Sequence, residues 1–563
     1  MNLVRLPAPF LSFLLVAILA SPLYCAADSA DRDNPQIRTD AELHLMTGEL
    51  AAGRNQPGIA ARELLKALEV LDDKDLARRA TTYALAARDS DLALLAAQRW
   101  QQLDPKATDA REVITRLSVS KGKADEAFAQ AVEIVKGTAS GEGDGLMQVA
   151  RMLAQTEPEQ ADTAFAVMNR LLTLWPKSAA GQHGLSLIAL RYNKLDLAET
   201  AANEAIRLDP ENREHALLRV GVLVRQKRLD EADSDLEKLL KDEKNTPEVR
   251  MGYVKLLLEA NQREHAKQQL QTILKDNSDY ADALYALGIL SFNDKDYDAA
   301  ESQFKTLLSG DRSQEAAYQL GRIAEAKDDS ENALGYYNRV IKGNLVVDAA
   351  VRKAYVLAKL KLFDEAQQLM AQLREQLPQL EQHLYLAEAD LLFQNKEYDR
   401  ATAVYAAGLE SLPGDEELLY GRSILHERKG AIVLAEQDLR KMIAENANDS
   451  RALNALGYML TVHTKRFQEA KKLISRALEL EPEDAAIMDS MGWVQFKLGK
   501  KADALASLKK AYERFPDPEV AAHLGEVLWT AGDQDQARSI WLKAQKVTPD
   551  NEALNRVIKR FVK

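Results

Sequence analysis

Three features of the chain contain residue types that catalyse reactions or bind ligands. The glycine-rich stretch 137–145 (GTASGEGDG) lacks the Lys and Ser/Thr of a phosphate-binding loop and follows no strand pattern. Ser490 lies beside Gly492 in a helical pattern, not at the strand-to-helix turn of a nucleophilic serine. No metal-ligand spacing such as HExxH joins the histidines, so surface or inter-helix positions are expected for them. The eight histidines are His44, His183, His215, His265, His383, His426, His463 and His523. The sequence predicts no catalytic site, metal site or cofactor.

The elements that would position such residues are copies of one repeat. Gly525 is followed at fixed intervals by Ala537, Trp541, Ala544 and Pro549. The same spacing recurs after Gly492 and after Ala389, where an alanine stands in place of the glycine. Fourteen steps between the first and last copies average 34 residues. The small residue of each copy is Gly48, Thr81, Thr115, Met152, Ser186, Gly221, Val254, Gly288, Gly321, Ala354, Ala389, Gly421, Gly457, Gly492 or Gly525.

Helix packing explains this pattern. A first helix has a small residue where its partner crosses closely, and a second helix offers an alanine such as Ala300 or Ala504 at the contact. Large residues, including Trp541, are expected to be buried between neighbouring units. The stretch from 551 to 563 has an apolar stripe typical of a closing helix.

This repeat resembles the tetratricopeptide repeat (TPR) superfamily from about residue 41 to residue 549. The resemblance implies an all-α solenoid superhelix of about 15 helix-turn-helix repeats with a C-terminal capping helix. We expect a flexible N-terminal segment at 28–40, a more degenerate array at 41–280, a second array at 281–549 and the cap at 550–563.

Composition narrows the classes of partner. The chain has 74 Lys plus Arg against 86 Asp plus Glu, a net charge of −12 without a basic block, so nucleic acid is a poor partner. Its one cysteine, Cys25, excludes an intramolecular disulfide and a thiolate metal cage. Because the repeats continue to the last residues, we expect a protein without enzymatic activity.

The first 27 residues predict a secretory signal peptide. Arg5 precedes an apolar run at 10–20, and small residues at Cys25 and Ala27 suit cleavage after Ala27. The alternative is lipidation at Cys25, although Tyr24 fits a lipobox badly. Either route predicts an exported protein in the periplasm, attached to the outer membrane only if Cys25 carries a lipid.

In TPR arrays the first helices line a concave face. Positions one helical turn from the small residue give this face an aromatic path in the second array. The aromatic path consists of Tyr285, Phe292, Tyr318, Tyr355, Phe393, Tyr458, Trp493, Phe496 and Trp529, together with Ile289. Polar residues interleave with it, namely Arg322, Asp390, Arg422, Asn454, Asp489 and Glu526. The pattern predicts a groove that binds protein partners; the alternative is that the rings fill helix contacts.

Three C-terminal strings carry a narrower resemblance. They are RALNALGYML at 451–460, DSMGWVQFKLGK at 489–500 and AAHLGEVLWTAGDQDQARSIW at 521–541. They resemble TPR outer-membrane adaptor lipoproteins of Gram-negative bacteria, which implies a periplasmic carboxyl-terminal processing protease as partner and cell-wall hydrolases as its substrates. The alternative is an assembly or structural component of an envelope machine for polysaccharide export or outer-membrane protein assembly.

Overall fold

The computed structural model describes residues 35–241 and 246–562. The predicted signal peptide at 1–27 and Cys25 lie outside the described residues. Within these ranges all regular structure is helical, with 31 α-helices and three short 3-10 turns. The chain divides after Asn277 into two compact units, which are called unit 1 and unit 2.

Fourteen helices belong to unit 1. They are α1 (Pro35–Gly53), α2 (Pro57–Ala67), α3 (Lys74–Ala86), α4 (Ser90–Leu103), α5 (Thr108–Ser120), α6 (Ala124–Gly137), α7 (Glu142–Leu153), α8 (Ala161–Leu174), α9 (Ala179–Arg191), α10 (Leu195–Leu208), α11 (Arg213–Arg225), α12 (Leu229–Leu240), α13 (Thr246–Glu259) and α14 (Arg263–Asp276). A 3-10 turn, Pro158–Gln160, precedes α8.

Seventeen helices belong to unit 2. They are α15 (Ala281–Asn293), α16 (Tyr297–Thr306), α17 (Ser313–Ala326), α18 (Ser330–Tyr337), α19 (Val346–Lys359), α20 (Phe363–Gln376), α21 (Glu381–Gln394), α22 (Tyr398–Ser411), α23 (Glu416–Arg428), α24 (Ile432–Glu445), α25 (Ser450–His463), α26 (Phe467–Leu480), α27 (Ala485–Lys497), α28 (Lys501–Arg514), α29 (Pro518–Ala531), α30 (Gln534–Val547) and α31 (Glu552–Phe561). The 3-10 turns Leu307–Ser309 and Pro378–Leu380 follow α16 and α20.

Each odd-numbered helix up to α29 is followed by its hairpin partner, which gives seven hairpins in the described part of unit 1 and eight in unit 2. The helices of each hairpin pack on each other, except that α7 touches α8 only weakly and packs mainly on α9. All fifteen small residues of the repeat lie on odd-numbered helices. The closing helix α31 packs on α29 and α30. The predicted all-α fold of 34-residue helical hairpins is confirmed. Helix α1 begins at Pro35, inside the segment 28–40 that was expected to be flexible.

Close helix crossings explain the small residues. A Cβ atom at Gly288 would lie 2.7 Å from Phe304 Cζ, and one at Gly492 would lie 2.5 Å from Leu508 Cγ. Both distances are too short for ordinary van der Waals contact, so a larger residue would push the two helices of the hairpin apart. Trp541, which occupies the same place opposite Gly525, is fully buried, as the sequence predicts.

Side-chain caps fix where the helices of the last hairpins begin. Asp449, Asp484, Asp517 and Asn551 each accept a hydrogen bond from a backbone N–H in the first turn of the following helix. These bonds satisfy donors that a helix start leaves open. The chain therefore enters α25, α27, α29 and α31 at defined points, which positions the residues on the face that those helices share.

Among the described residues, none of the helices combines the length and the apolar character needed to cross a membrane.

Candidate functional site

The nine aromatic residues predicted to bind partners lie on odd-numbered helices of unit 2, from α15 to α29. We call the surface formed by these helices the odd-helix face. Tyr318 and Trp493 are buried, and the other seven are partly buried. The nine rings therefore pack against other parts of the chain and are less exposed to solvent than the sequence predicts.

Three of the tyrosine hydroxyls bond to residues one repeat further along the chain. The bonds join Tyr285 to Gln319 (3.3 Å), Tyr318 to Arg352 (3.2 Å) and Tyr355 to Asp390 (2.6 Å). Burial, and then the hydrogen bond to Asp390, raise the pKa of Tyr355. These hydroxyls link neighbouring helices of unit 2, and the predicted role of Tyr285, Tyr318 and Tyr355 in partner binding stays a prediction.

Arginines cover two of the predicted rings, Phe292 and Tyr285. The Arg322 guanidinium lies 4.5 Å from the centre of the Phe292 ring, and that of Arg312 lies 4.9 Å from the centre of Tyr285. A cation over an aromatic face is attracted by the electron density of that face. Phe393 contacts Tyr398, with 5.6 Å between ring centres.

The polar residues predicted to select partners have partners within the chain. Arg422 of α23 pairs at 2.6 Å with the buried carboxylate of Asp438, which lies on α24 of the same hairpin. Asp489 pairs with His523 and Glu526 pairs with Arg560, each across one repeat. Asn454 differs, because its buried Oδ1 atom has no hydrogen-bond partner.

The C-terminal part of the odd-helix face contains an open cleft of about 530 Å³, which we call the C-terminal cleft. Helices α23, α25, α27, α29 and α31 all contribute to its lining. Of the residues predicted from the sequence, Tyr458, Trp493 and Glu526 line the cleft. The aromatics of α15, α17, α19 and α21 lie outside it.

A stacked pair of rings forms the floor of the C-terminal cleft. The imidazole of His523 stacks on the indole of Trp493 with 4.1 Å between ring centres, and its Nδ1 lies 2.9 Å from Asp489 Oδ2. Burial lowers the pKa of His523, but the charge of Asp489 and its hydrogen bond outweigh burial, so the pKa is raised. Lys497 Nζ lies 4.2 Å from the Trp493 ring centre.

These contacts correct the expectation that Trp493 is a solvent-facing anchor. The residue is only 7% exposed, because His523 and Lys497 cover its ring. Phe496 packs beside it at 5.4 Å between ring centres. A partner in the cleft would contact the surface of this stacked group and could not insert a ring onto the face of Trp493 that His523 occupies.

The walls of the C-terminal cleft carry both charge signs and an apolar side chain. On one side, Glu427 pairs with His463 at 2.8 Å, and Val462 is 44% exposed. On the other side, α31 contributes Arg556 and Arg560, and Arg560 lies 3.3 Å from Glu526. Such a surface suits noncovalent binding of a polypeptide by apolar contact and charge pairing.

Trp529 packs against the closing helix. Its indole packs on Trp541 at 5.7 Å and on Phe561 of α31 at 5.8 Å between ring centres. Trp529 therefore helps to hold the closing helix, and its predicted part in partner binding stays a prediction.

Sequence reasoning missed His523, Arg556 and Arg560 as residues of the site. A signal was present, because Asp489 and His523, like Glu526 and Arg560, are 34 residues apart, which is the average length of the repeat. In the ranges 35–241 and 246–562, no group of three or more His, Cys, Asp or Glu side chains is placed to hold a metal ion.

Family models for the tetratricopeptide repeat match four segments of the chain. One matches residues 223–287, and a second matches residues 183–246, 386–450 and 490–551. TPR repeat-containing protein PA4667 of Pseudomonas aeruginosa is 44% identical over 211 residues, which are 38% of this chain and 36% of that protein. The matched segment is thus about a third of the relative's length.

The chain is also similar at low identity to solved structures of TPR proteins. A tetratricopeptide repeat protein from Parabacteroides merdae is 18% identical, with 45% of this chain and all of that chain covered, at a TM-score of 0.36. TTC0263 from Thermus thermophilus is 23% identical, with 32% of this chain and 97% of that chain covered, at a TM-score of 0.30. The family models thus place tetratricopeptide repeats at residues 183–287, 386–450 and 490–551, and the helical hairpins of the described residues have the all-α fold of such repeats.

Proposed function

We propose that this protein is a non-enzymatic adaptor of the bacterial cell envelope that delivers cell-wall hydrolases to a periplasmic carboxyl-terminal processing protease. TPR repeats imply a protein-interaction scaffold. The protease partnership rests on the resemblance of the three C-terminal strings to adaptor lipoproteins of Gram-negative bacteria. The absence of an enzymatic activity is part of the proposal, and a hydrolase assay on the purified protein tests it.

The observation that carries the proposal is the C-terminal cleft. The Asp489–His523 pair and the Trp493 stack hold its floor in place before any partner arrives. A preformed surface lowers the ordering cost of association, which leaves more of the contact energy for affinity. Val462 is the exposed apolar side chain at which a partner's apolar group would be buried.

A matched pair of variants tests binding at this cleft. Val462→Glu places a carboxylate in the cleft, whereas Val433→Glu makes the same change on α24, at a residue that is 70% exposed and outside the cleft. Because burying an unpaired carboxylate is costly, Val462→Glu should lose captured proteins in a pull-down from envelope extract. Val433→Glu should retain them, and both should keep the helical circular dichroism of the parent.

The identity of the captured proteins tests the adaptor role separately. We expect a carboxyl-terminal processing protease and at least one cell-wall hydrolase in the extract bound by the parent protein. Recovery of a β-barrel protein without a protease would instead favour the envelope-assembly alternative. Recovery of neither a protease nor a hydrolase would falsify the adaptor proposal.

Export is proposed from the first 27 residues alone. Mass spectrometry of the mature protein from a Gram-negative host should find an N-terminus at Asp28, after cleavage behind Ala27, or a lipid-modified Cys25. A mature protein that retains Met1 and fractionates with the cytoplasm would contradict the envelope location.

A further inference from the structure

Two histidines in unit 1 face each other across neighbouring hairpins. His183 on α9 and His215 on α11 are 9% and 4% exposed, and their Nδ1 atoms are 2.8 Å apart. The ring centres are 5.0 Å apart. The distance between the ring centres is longer than the Nδ1–Nδ1 distance by about the width of one imidazole ring. Both Nδ1 atoms therefore lie close to the line that joins the two ring centres. We call these residues the histidine pair.

The short N···N distance restricts the protonation state. A hydrogen bond between two imidazole nitrogens requires that one Nδ1 donates and the other accepts, so a single proton lies between them. The hydrogen bond can form when both rings are neutral. It can also form when the donor ring carries a second proton on Nε2 and is cationic. If both rings are cationic, two N–H groups and two positive charges oppose each other, and the bond is lost.

The surroundings of the histidine pair disfavour the second proton. His215 lies in the first turn of α11, where the positive end of the helix dipole opposes a cation. Of the charged groups that face the pair, Arg151 of α7 also opposes a further proton, whereas Glu214 of α11 and Asp209 in the turn before α11 favour one. Asp144 of α7 lines the same cleft. Burial lowers the pKa of His183 to about 4, assisted by His215, and burial also lowers the pKa of His215.

Solvent reaches the histidine pair through a cleft of about 450 Å³, which both rings line. Protons can therefore exchange with the pair without unfolding of unit 1. Gln148 and Asn212 line the same cleft, and Asn212 also caps α11 through the N–H of Glu214. The pair is thus a polar contact between α9 and α11 that bulk pH can control.

We propose that the histidine pair is an acid-sensitive link between the fifth and sixth hairpins, closed while one proton is shared and opened when both rings become cationic. Opening separates His183 from His215 and loosens the junction of α9 with α11. The direction of the pH dependence follows from the burial of both rings in their neutral form. The link is intact above the ordinary histidine pKa of about 6.5 and is lost as the pH falls.

Nuclear magnetic resonance of the full chain with ¹⁵N-labelled histidine tests the shared proton directly, in the presence of a chelator. At pH 7 we expect a through-hydrogen-bond coupling between the two Nδ1 atoms, one protonated and one not. The coupling should vanish as the second ring protonates. Absence of the coupling at pH 7, or two rings that titrate independently, would overturn the proposal.

Hydrogen exchange of the α9 and α11 amides tests the opening. After correction for intrinsic rates, exchange in the parent should rise about fivefold between pH 7 and pH 4, as expected for loss of one hydrogen bond. His215→Asn keeps a donor near the Nδ1 position but cannot become cationic, so its exchange should not rise. His383→Asn, at an exposed histidine in unit 2, should behave like the parent. An equal acid response in His215→Asn and the parent would contradict the link.

Discussion

At the scale of single residues, polar contacts that repeat with the period of the helical hairpins hold the odd-helix face of unit 2 together. Tyr318 bonds to Arg352, and Asp489 bonds to His523, each pair 34 residues apart. Each bond joins two neighbouring odd-numbered helices. The hydrogen-bonded side chains are therefore held in place by the chain itself before a partner protein binds. Specific binding then depends on residues that remain exposed, such as Val462.

The Asp489–His523 pair should make the stability of the C-terminal cleft depend on pH. Because the folded-state pKa of His523 is raised, the pair contributes stability below the unfolded-state pKa of about 6.5 and loses it as pH rises through the folded value. We expect His523→Asn to lower the free energy of unfolding by about 1 to 3 kcal/mol at pH 6 and by less at pH 9. Urea titrations followed by tryptophan fluorescence measure this difference.

His383→Asn serves as the control for that experiment, because His383 is exposed. It should leave the unfolding transition unchanged at both pH values. A destabilisation by His523→Asn that is equal at pH 6 and pH 9 would show that the charge of His523 does not contribute, and that only its packing on Trp493 matters.

At the scale of elements, several hairpins depend on a glycine at their crossing. Helical periodicity and the 34-residue spacing made the crossings at Gly288, Gly457, Gly492 and Gly525 predictable, because helix packing restricts the size of the residue there. The same spacing did not reveal that Gly421 faces Tyr405 of the preceding hairpin. The role of α31 was predictable only in part. Its apolar stripe indicated a closing helix, but its contribution of Arg556 and Arg560 to the C-terminal cleft depends on how it packs on α29.

The same limit applies to the aromatic residues. Spacing placed Tyr355 and Trp493 on the odd-numbered helices, where the structure has them. It could not show that Asp390 would accept a bond from Tyr355 or that His523 would cover Trp493, because those contacts depend on side-chain directions and on the angle between consecutive hairpins.

Two glycine substitutions separate crossing positions from other helical positions. Gly492→Ala should destabilise unit 2 by about 1 to 3 kcal/mol, because the new Cβ would lie 2.5 Å from Leu508 Cγ. Gly252→Ala, in α13 with no atom within 4 Å of the new Cβ, should stabilise unit 1 by about 0.5 to 1 kcal/mol. Chemical denaturation followed by circular dichroism gives both values, and stabilisation by both substitutions would refute the crossing argument.

The closing helix provides a second prediction at this scale. Phe561 packs on Trp529 and Trp541, so Phe561→Ala should cost about 1 to 3 kcal/mol and should detach α31. Faster trypsin cleavage after Lys559 or Arg560, together with a change in tryptophan emission, would report the detachment. Phe515→Ala removes the same ring from an exposed position and should change neither readout.

At the scale of the whole molecule, two units of helical hairpins carry two different polar sites on their odd-numbered helices. The histidine pair belongs to unit 1, and the C-terminal cleft belongs to unit 2. Their pH dependences have opposite signs, because the pKa values of His183 and His215 are lowered whereas that of His523 is raised. Acid should therefore weaken a contact in unit 1 under conditions that maintain the cleft floor in unit 2.

Photo-crosslinking in living cells tests most directly whether the C-terminal cleft binds partner proteins. A photoreactive residue is introduced at Val462, inside the cleft, or at Val433, on the outer helix α24. We expect the photoreactive residue at position 462 to capture discrete proteins, including a processing protease or its hydrolase substrates, and the one at position 433 not to capture them. Identical captured sets at both positions, or no capture at position 462, would show that the C-terminal cleft does not bind partner proteins.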